Sequence, residues 1–329
     1  MMIQAPVEVR AGHPGAGNMP LLIQPADTRC SLPQFVDAQR SWVEEALTAH
    51  GAILFRDFAM EDPSTEFARF SQLMSSDLLD YVYRSTPRTQ LEGKIYTATE
   101  YPARSVIPQH NENAYCRDWP MKLMLVCVQP ALVGGNTPLS STRNVTKRID
   151  PQIREKFKRL GVKYVRNYRA DVDIPWQTVF QTDSKDQLEN FCRAHDIAFT
   201  WLNDGALRTE QVCQGMATHP NTNDELWFNQ AHLFHASSLD KASYNALLAL
   251  YQEDEFPRNT YYGDGTPIEP EVLADIRAAL AAETISFRWK KNDILLLDNM
   301  LVAHGRDPFS GPRKVLVSMG ESYLATTKS

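Results

Sequence analysis

Residues 285–319 read ISFRWKKNDILLLDNMLVAHGRDPFSGPRKVLVSM, and the fold turns on this stretch. Ile285, Phe287 and Trp289 alternate with polar neighbours, the period-two pattern of a strand with one buried face. Lys291-Asn292-Asp293 turns the chain, and Ile294–Leu297 then runs apolar without interruption, as a strand covered on both faces does. Val315–Met319 reads as another strand. Working back from it, KLMLVCVQPAL within 119–132 is strand-like, GGNTPLSS at 134–141 turns into a further strand edge, and 162–169, 178–181 and 197–203 carry shorter strand patterns. Residues 80–102 also alternate as strands do.

Helical patterns sit at the front and between the strands. Ser31 and Gln34 have capping-box spacing, Pro33 suits a first turn, and a stripe from Trp42 to His50 ends at Gly51 before the short strand Ala52–Phe55. Further helices are expected at Ser64–Met74, Asn144–Leu160, 185–195, 240–251 with Asp240 as its cap, and 270–283. Strands dominate the middle and end, so the chain reads as mainly β with helical insertions, a β-sandwich or jelly roll in preference to a βαβ repeat. Residues 1–30 read as an irregular lead-in, and 31–329 as one domain without internal repeat.

With 43% apolar and 22% charged residues and a net charge of −6 over 329 residues, the composition is that of a packed globular protein. The mild acidity and the lack of a basic cluster argue against nucleic acid or anionic membrane as partner. No apolar run approaches the ~20 residues of a membrane span, and the start lacks the pattern of a secretory signal. Five widely spaced cysteines read as reduced thiols of a cytoplasmic protein. A homo-oligomer is left open.

The sharpest chemical feature is His110-Asn111-Glu112. On a strand, positions one residue apart point to one side, so the imidazole and the carboxylate can address one metal ion. Alone the triplet is weak, since a surface histidine beside a solvated glutamate would explain it. His304, just beyond the buried LLLD strand, supplies a third ligand and completes a two-histidine, one-carboxylate facial triad, which leaves three positions open on Fe(II). Two can take the carboxylate and carbonyl of a 2-keto acid and the last O₂. The distal carboxylate of such a co-substrate needs a cation that offers two parallel hydrogen bonds. Arg313, nine residues past His304, is the candidate, with Thr137 as hydroxyl donor.

HNEN at 110–113, GGNTPLSS at 134–141, TVFQTDSKDQLENFC at 178–192, ELWFNQAHLFH at 225–235 and AHGRDPFSGPRKVLVSM at 303–319 resemble, in this order, the taurine dioxygenase/TfdA superfamily of Fe(II)- and 2-oxoglutarate-dependent oxygenases. The likeness covers roughly residues 30–324 and is strongest to the clavaminate synthase-like and syringomycin-biosynthesis hydroxylase-like subgroup. It implies a double-stranded β-helix, His110, Glu112 and His304 as iron ligands, and Thr137 and Arg313 as 2-oxoglutarate contacts. Two positions depart from the family pattern: Asn136 stands where an acidic residue is common, and Asn292-Asp293 where Gly-Asp is common. Related halogenases lack the carboxylate ligand, so Glu112 marks a non-halogenating enzyme. The resemblance further implies oxidative decarboxylation of 2-oxoglutarate to succinate, coupled to oxidation of an unactivated C–H bond. The implied substrate is an amino acid or amino-acid derivative in specialised metabolism, free or tethered to a carrier protein. Hydroxylation is the default outcome, with desaturation, cyclisation and epoxidation as alternatives. A non-catalytic jelly-roll binding protein is the competing class.

Other residues carry open readings. Arg306 is either a substrate-carboxylate anchor or a salt-bridge partner of Asp298 or Asp307, and Asn113 and Tyr115 are either substrate contacts or strand-edge residues. His232 and His235 read as packing residues ahead of a second metal site, because structural zinc wants four ligands and no others stand at the right spacing. Asp298 and Asn299 read as hydrogen-bonding groups of the turn after the buried strand.

Overall fold

The computed structural model describes residues 7–10, 19–27, 29–80, 83, 88–91, 93–98, 101–169, 172–202 and 205–325. Asp118–Gln129 and Lys314–Leu324 are its longest strands and pair antiparallel along their length. Ile294–Asp298 lies on the other side of Asp118–Gln129 and is followed outward by Ala52–Phe55, Leu21–Pro25 and Val7–Arg10, while Ile95–Thr97 closes the opposite edge. Alternate residues of these central strands enter different clusters. Leu123, Leu125, Leu295, Leu297 and Val317 face inward. Met124, Val126, Ile294, Leu296 and Leu316 pack under the helices Leu32–His50 and Pro63–Met74. A sheet covered on both faces explains why ILLL shows no alternation.

A three-stranded sheet, Ile107–His110, Val302–Arg306 and Leu139–Ser141, faces that inner surface. A four-stranded sheet, in the order Ala198–Trp201, Leu207–Cys213, Val162–Tyr168 and Arg258–Tyr262, carries a third cluster with the later helices. The chain is thus mainly β with helices, and the helices lie outside the strands that matter for the site. No helix among the described residues is long and apolar enough to cross a membrane.

Several expectations change. The stretch read as an irregular lead-in contributes two strands, and Leu21–Pro25 pairs parallel with Ala52–Phe55. Residues 144–160 form two helices, Thr142–Arg148 and Pro151–Leu160, because Pro151 keeps Asp150 out of the helical region and the Asp150 side chain instead caps the second helix. Residues 178–181 belong largely to the helix Trp176–Phe180. Ile285–Trp289 keeps its alternation in burial, with Phe287 and Trp289 inside, yet bonds to the sheet through one bridge only, Ile285 to Leu139. Within 80–102 the described strand is Ile95–Thr97. Ser31 precedes its helix without a side-chain cap bond, while Gly51 closes it with φ 74°. Asn292 does the work of the expected glycine at φ 70°, a conformation asparagine tolerates.

Candidate metal centre

His110 ends the strand Ile107–His110, and antiparallel pairing sets it opposite His304 on Val302–Arg306, with ring centroids 4.5 Å apart. The register shifts between His304 and Arg306, and Gly305 permits the close approach, since a Cβ there would stand 2.6 Å from the Ile107 carbonyl oxygen. Glu112 lies past the strand end, so alternation alone does not aim it. Its backbone is clamped by Asn299, whose Oδ1 accepts the Glu112 N–H at 2.7 Å and whose Nδ2 donates to the Glu112 and Pro120 carbonyls at 2.9 and 2.8 Å. Asn111 donates to the Asn299 carbonyl at 2.6 Å, and Gln230 donates to that of Asn111 at 2.7 Å. Each of these buried amides therefore has partners.

The result is that one ligand atom each from His110, Glu112 and His304 lies within 4.8 Å of the others, the one such group of three or more among the described residues. His304 Nε2 stands 3.9 Å from Glu112 Oε2. The Pro108 carbonyl lies 2.9 Å from His110 Nδ1, which fixes the proton there and turns the Nε2 lone pair outward. Burial lowers the pKa of both histidines, that of His304 well below its ordinary value with the His110 and Arg88 charges adding to the effect. Neutral imidazoles and one carboxylate are the donor set that a divalent first-row ion such as Fe(II) takes, so the residues fit the metal. Arg88, absent from the sequence reading, donates to Glu112 Oε2 at 2.7 Å with both side chains buried. No motif announces it, because its partner is chosen by the fold.

The two histidines line a cavity with Thr137, Arg306, Arg313 and Arg88, and its far wall is apolar, Leu123, Leu125 and Val317. Trp289 Nε1 donates to Thr137 Oγ1 at 3.0 Å, which leaves the hydroxyl proton free to be donated. Arg313 Nε donates to the Gly135 carbonyl at 3.1 Å, so the GGNTP turn and the last strand hold each other. Burial, with the Arg306 charge, brings Arg313 down to about 10, still cationic at neutral pH. Arg306 lines the cavity and, among the described residues, forms no salt bridge with Asp298 or Asp307. Its guanidinium donates to the carbonyls of Tyr101, Pro102 and Ser105 at 2.7 to 2.9 Å and staples that segment over the cavity.

The structure does not bring Asn113 and Tyr115 to this cavity. Tyr115 is core: its hydroxyl donates to the Tyr83 carbonyl at 3.0 Å and its ring packs on Phe234. Asn113 lines a different cavity. His232 faces the Gln109 carbonyl at 3.1 Å and burial lowers it to about 4, while His235 is bonded to Ser237. Asp298 caps Met300 and Leu301 and meets the buried His219 at 2.9 Å, the hydrogen-bonding role expected of it.

The sequence profile described as "Taurine catabolism dioxygenase TauD, TfdA family" matches residues 17–319. The chain is 39% identical over 277 residues to the dapdiamide synthesis protein DdaC of Enterobacter agglomerans, covering 84% of each chain. It is 28% identical over 344 residues to a clavaminate synthase-like protein of Arabidopsis thaliana, covering 97% of this chain and 98% of the other. Among solved structures, PvcB, described as an Fe, alpha-ketoglutarate dependent oxygenase from an isonitrile synthetic pathway, superposes with TM-score 0.56 at 16% identity, over 99% of this chain and 96% of that one.

Proposed function

The chain belongs to the taurine catabolism dioxygenase TauD, TfdA family, and on that premise we propose that it is an Fe(II)- and 2-oxoglutarate-dependent oxygenase of a small amino-acid-like substrate. The observation that carries the reading is one cavity lined by two of the three clustered ligands and by Arg313 and Thr137. In this reading the chain is a single double-stranded β-helix domain that takes in the two strands before residue 31, and its walls are the seven-stranded and three-stranded sheets that enclose the cavity.

His110, Glu112 and His304 would hold the iron. When bound with 2-oxoglutarate and O₂, the metal supplies oxidising power that no side chain has, with succinate and CO₂ as by-products. The chain's own residues do the rest. Arg313 offers its Nη donors to the distal carboxylate of 2-oxoglutarate, and Thr137 adds a hydroxyl donor. Leu123, Leu125 and Val317 keep water from the reacting centre. Arg88 donates to Glu112 Oε2 and so fixes the orientation of the carboxylate.

The relative DdaC is named for dapdiamide synthesis, which supports specialised metabolism and a free or carrier-bound amino-acid derivative as substrate. Hydroxylation is the expected outcome. Five unpaired cysteines suit a reducing compartment such as the cytoplasm. The test is to add Fe(II) and 2-oxoglutarate without oxygen and record the visible charge-transfer band, then to screen amino acids and carrier-bound aminoacyl thioesters for succinate and product mass. A gain of ~16 Da marks hydroxylation or epoxidation and a loss of ~2 Da desaturation or cyclisation. No band, and no succinate with any substrate, sinks the proposal.

A further inference from the structure

A second cavity, of about 220 Å³, lies further along the same two strands. Leu123 and Val317 line the metal-site cavity, while Trp119 and Met319, on the same inward face of the same two strands, line the second. From Val317 to Met319 the strand advances ~7 Å, so the two cavities are neighbours along the inner face. Asn113, next in sequence to Glu112, lines the second cavity as well.

Asp118 and Asp80 contribute carboxylates to this cavity, and among the described residues no lysine or arginine lines it. Among the described residues Asp118 has no side-chain partner, and adjacent Arg117 is bound to Asp196 at 2.7 Å and to the Val212 carbonyl at 3.0 Å. Asp80, at the rim, is partly offset by Lys94 at 3.4 Å. Asn113 is held at φ 56°, and its Oδ1 is enclosed without a hydrogen-bond partner. The indole N–H of Trp119, a residue 2% exposed, is enclosed without a partner as well. An enclosed amide oxygen left without a donor is costly, so Asn113 Oδ1 beside the unpartnered Asp118 carboxylate favours a ligand that brings N–H groups. The rings of Trp119, Tyr83 and Phe191 suit a cation and its alkyl chain.

We propose that this cavity binds the primary ammonium group of the substrate, its N–H donors shared between the Asp118 carboxylate and Asn113 Oδ1. The inference rests on the oxygenase reading and narrows it: the substrate carries a free amine, and acids without one are rejected.

The test uses the full-length protein with Fe(II) and 2-oxoglutarate under argon, titrated calorimetrically with n-pentylamine, N-pentylacetamide and hexanoate. The amine should bind, and the amide and the acid at least tenfold more weakly. Asp118→Asn should weaken the amine at least tenfold, and Met319→Trp, which fills the cavity, should abolish its binding. Equal affinity for amine and amide overturns the proposal, as does amine binding within twofold of wild type in both variants. Repeating the amine titration on metal-free protein separates the two readings, because a missing charge-transfer band counts against the oxygenase while the amine heat still decides the cavity.

Discussion

Arg313 and Asn299 show two ways in which single residues carry this site. Arg313 is cationic at neutral pH and tied through Nε to Gly135, so its terminal nitrogens form a fixed fork. Arg313→Lys keeps a charge and loses the fork. The 2-oxoglutarate concentration giving half the charge-transfer band should rise ~10- to 100-fold, on the ~1.5–3 kcal/mol of a hydrogen bond to a charged group. Asn299→Ala acts by another route, stranding the Glu112 N–H and two carbonyls in the interior. It should cost ~2–4 kcal/mol in urea unfolding and weaken metal binding ~10- to 100-fold, since Glu112 would lose its support. His110-Asn111-Glu112 was legible in the sequence because the motif is local. Arg88 was not: its carboxylate partner lies 24 residues away and nothing near STPRTQ marks it.

At the scale of elements, the pairing of Ile107–His110 with Val302–Arg306 brings the two histidines of the candidate metal centre together, and Gly305 makes that pairing possible. Gly305→Ala puts a methyl group 2.6 Å from a backbone oxygen that cannot turn aside. The strands must part, and we expect ~2 kcal/mol or more of destabilisation together with loss of the charge-transfer band, read by thermal melts and anaerobic titration. The strand patterns at 118–129 and 294–297 were readable because burial on both faces leaves an unbroken apolar run. Leu207–Cys213 was missed because its inward positions include Thr209 and Gln211, which are buried but polar. Residues 178–181 misled for the opposite reason, since four apolar and polar residues fit a strand or one helical turn equally.

Over the whole molecule, long-range polar pairs join the ends of the chain. Arg56, beside an early strand, donates through Nε and Nη2 to Asp293, at 2.8 and 2.6 Å, in the turn before Ile294–Asp298. Arg56→Met leaves that carboxylate buried and unpaired, and should cost ~3–5 kcal/mol, measured by urea unfolding. Acid sensitivity is a second global property. His232, lowered by burial to about 4, titrates near ~6.5 once unfolded. The unfolded chain therefore binds the proton first as pH falls, and stability declines between those values and is unaffected above them. This one group accounts for ~3 kcal/mol. His232→Gln should flatten the fall in urea midpoint between pH 7 and 4, and an unchanged slope would contradict the assignment.

The sequence by itself determined the mainly β class of fold and pointed to His110, Glu112 and His304, which cluster, and to Thr137 and Arg313, which line one cavity, because each stands in a short motif or a repeating burial pattern. Only the tertiary structure decided how Glu112 is aimed, that Arg88 meets it, that Arg306 staples Tyr101 to Ser105, and that Asp118 and Asn113 share one cavity. The physical reason is the range of the interactions. Periodicity acts between residues a few positions apart, whereas Asn299 meets Glu112 across 187 residues and Arg306 meets Tyr101 across 205, contacts that exist only once the strands have packed.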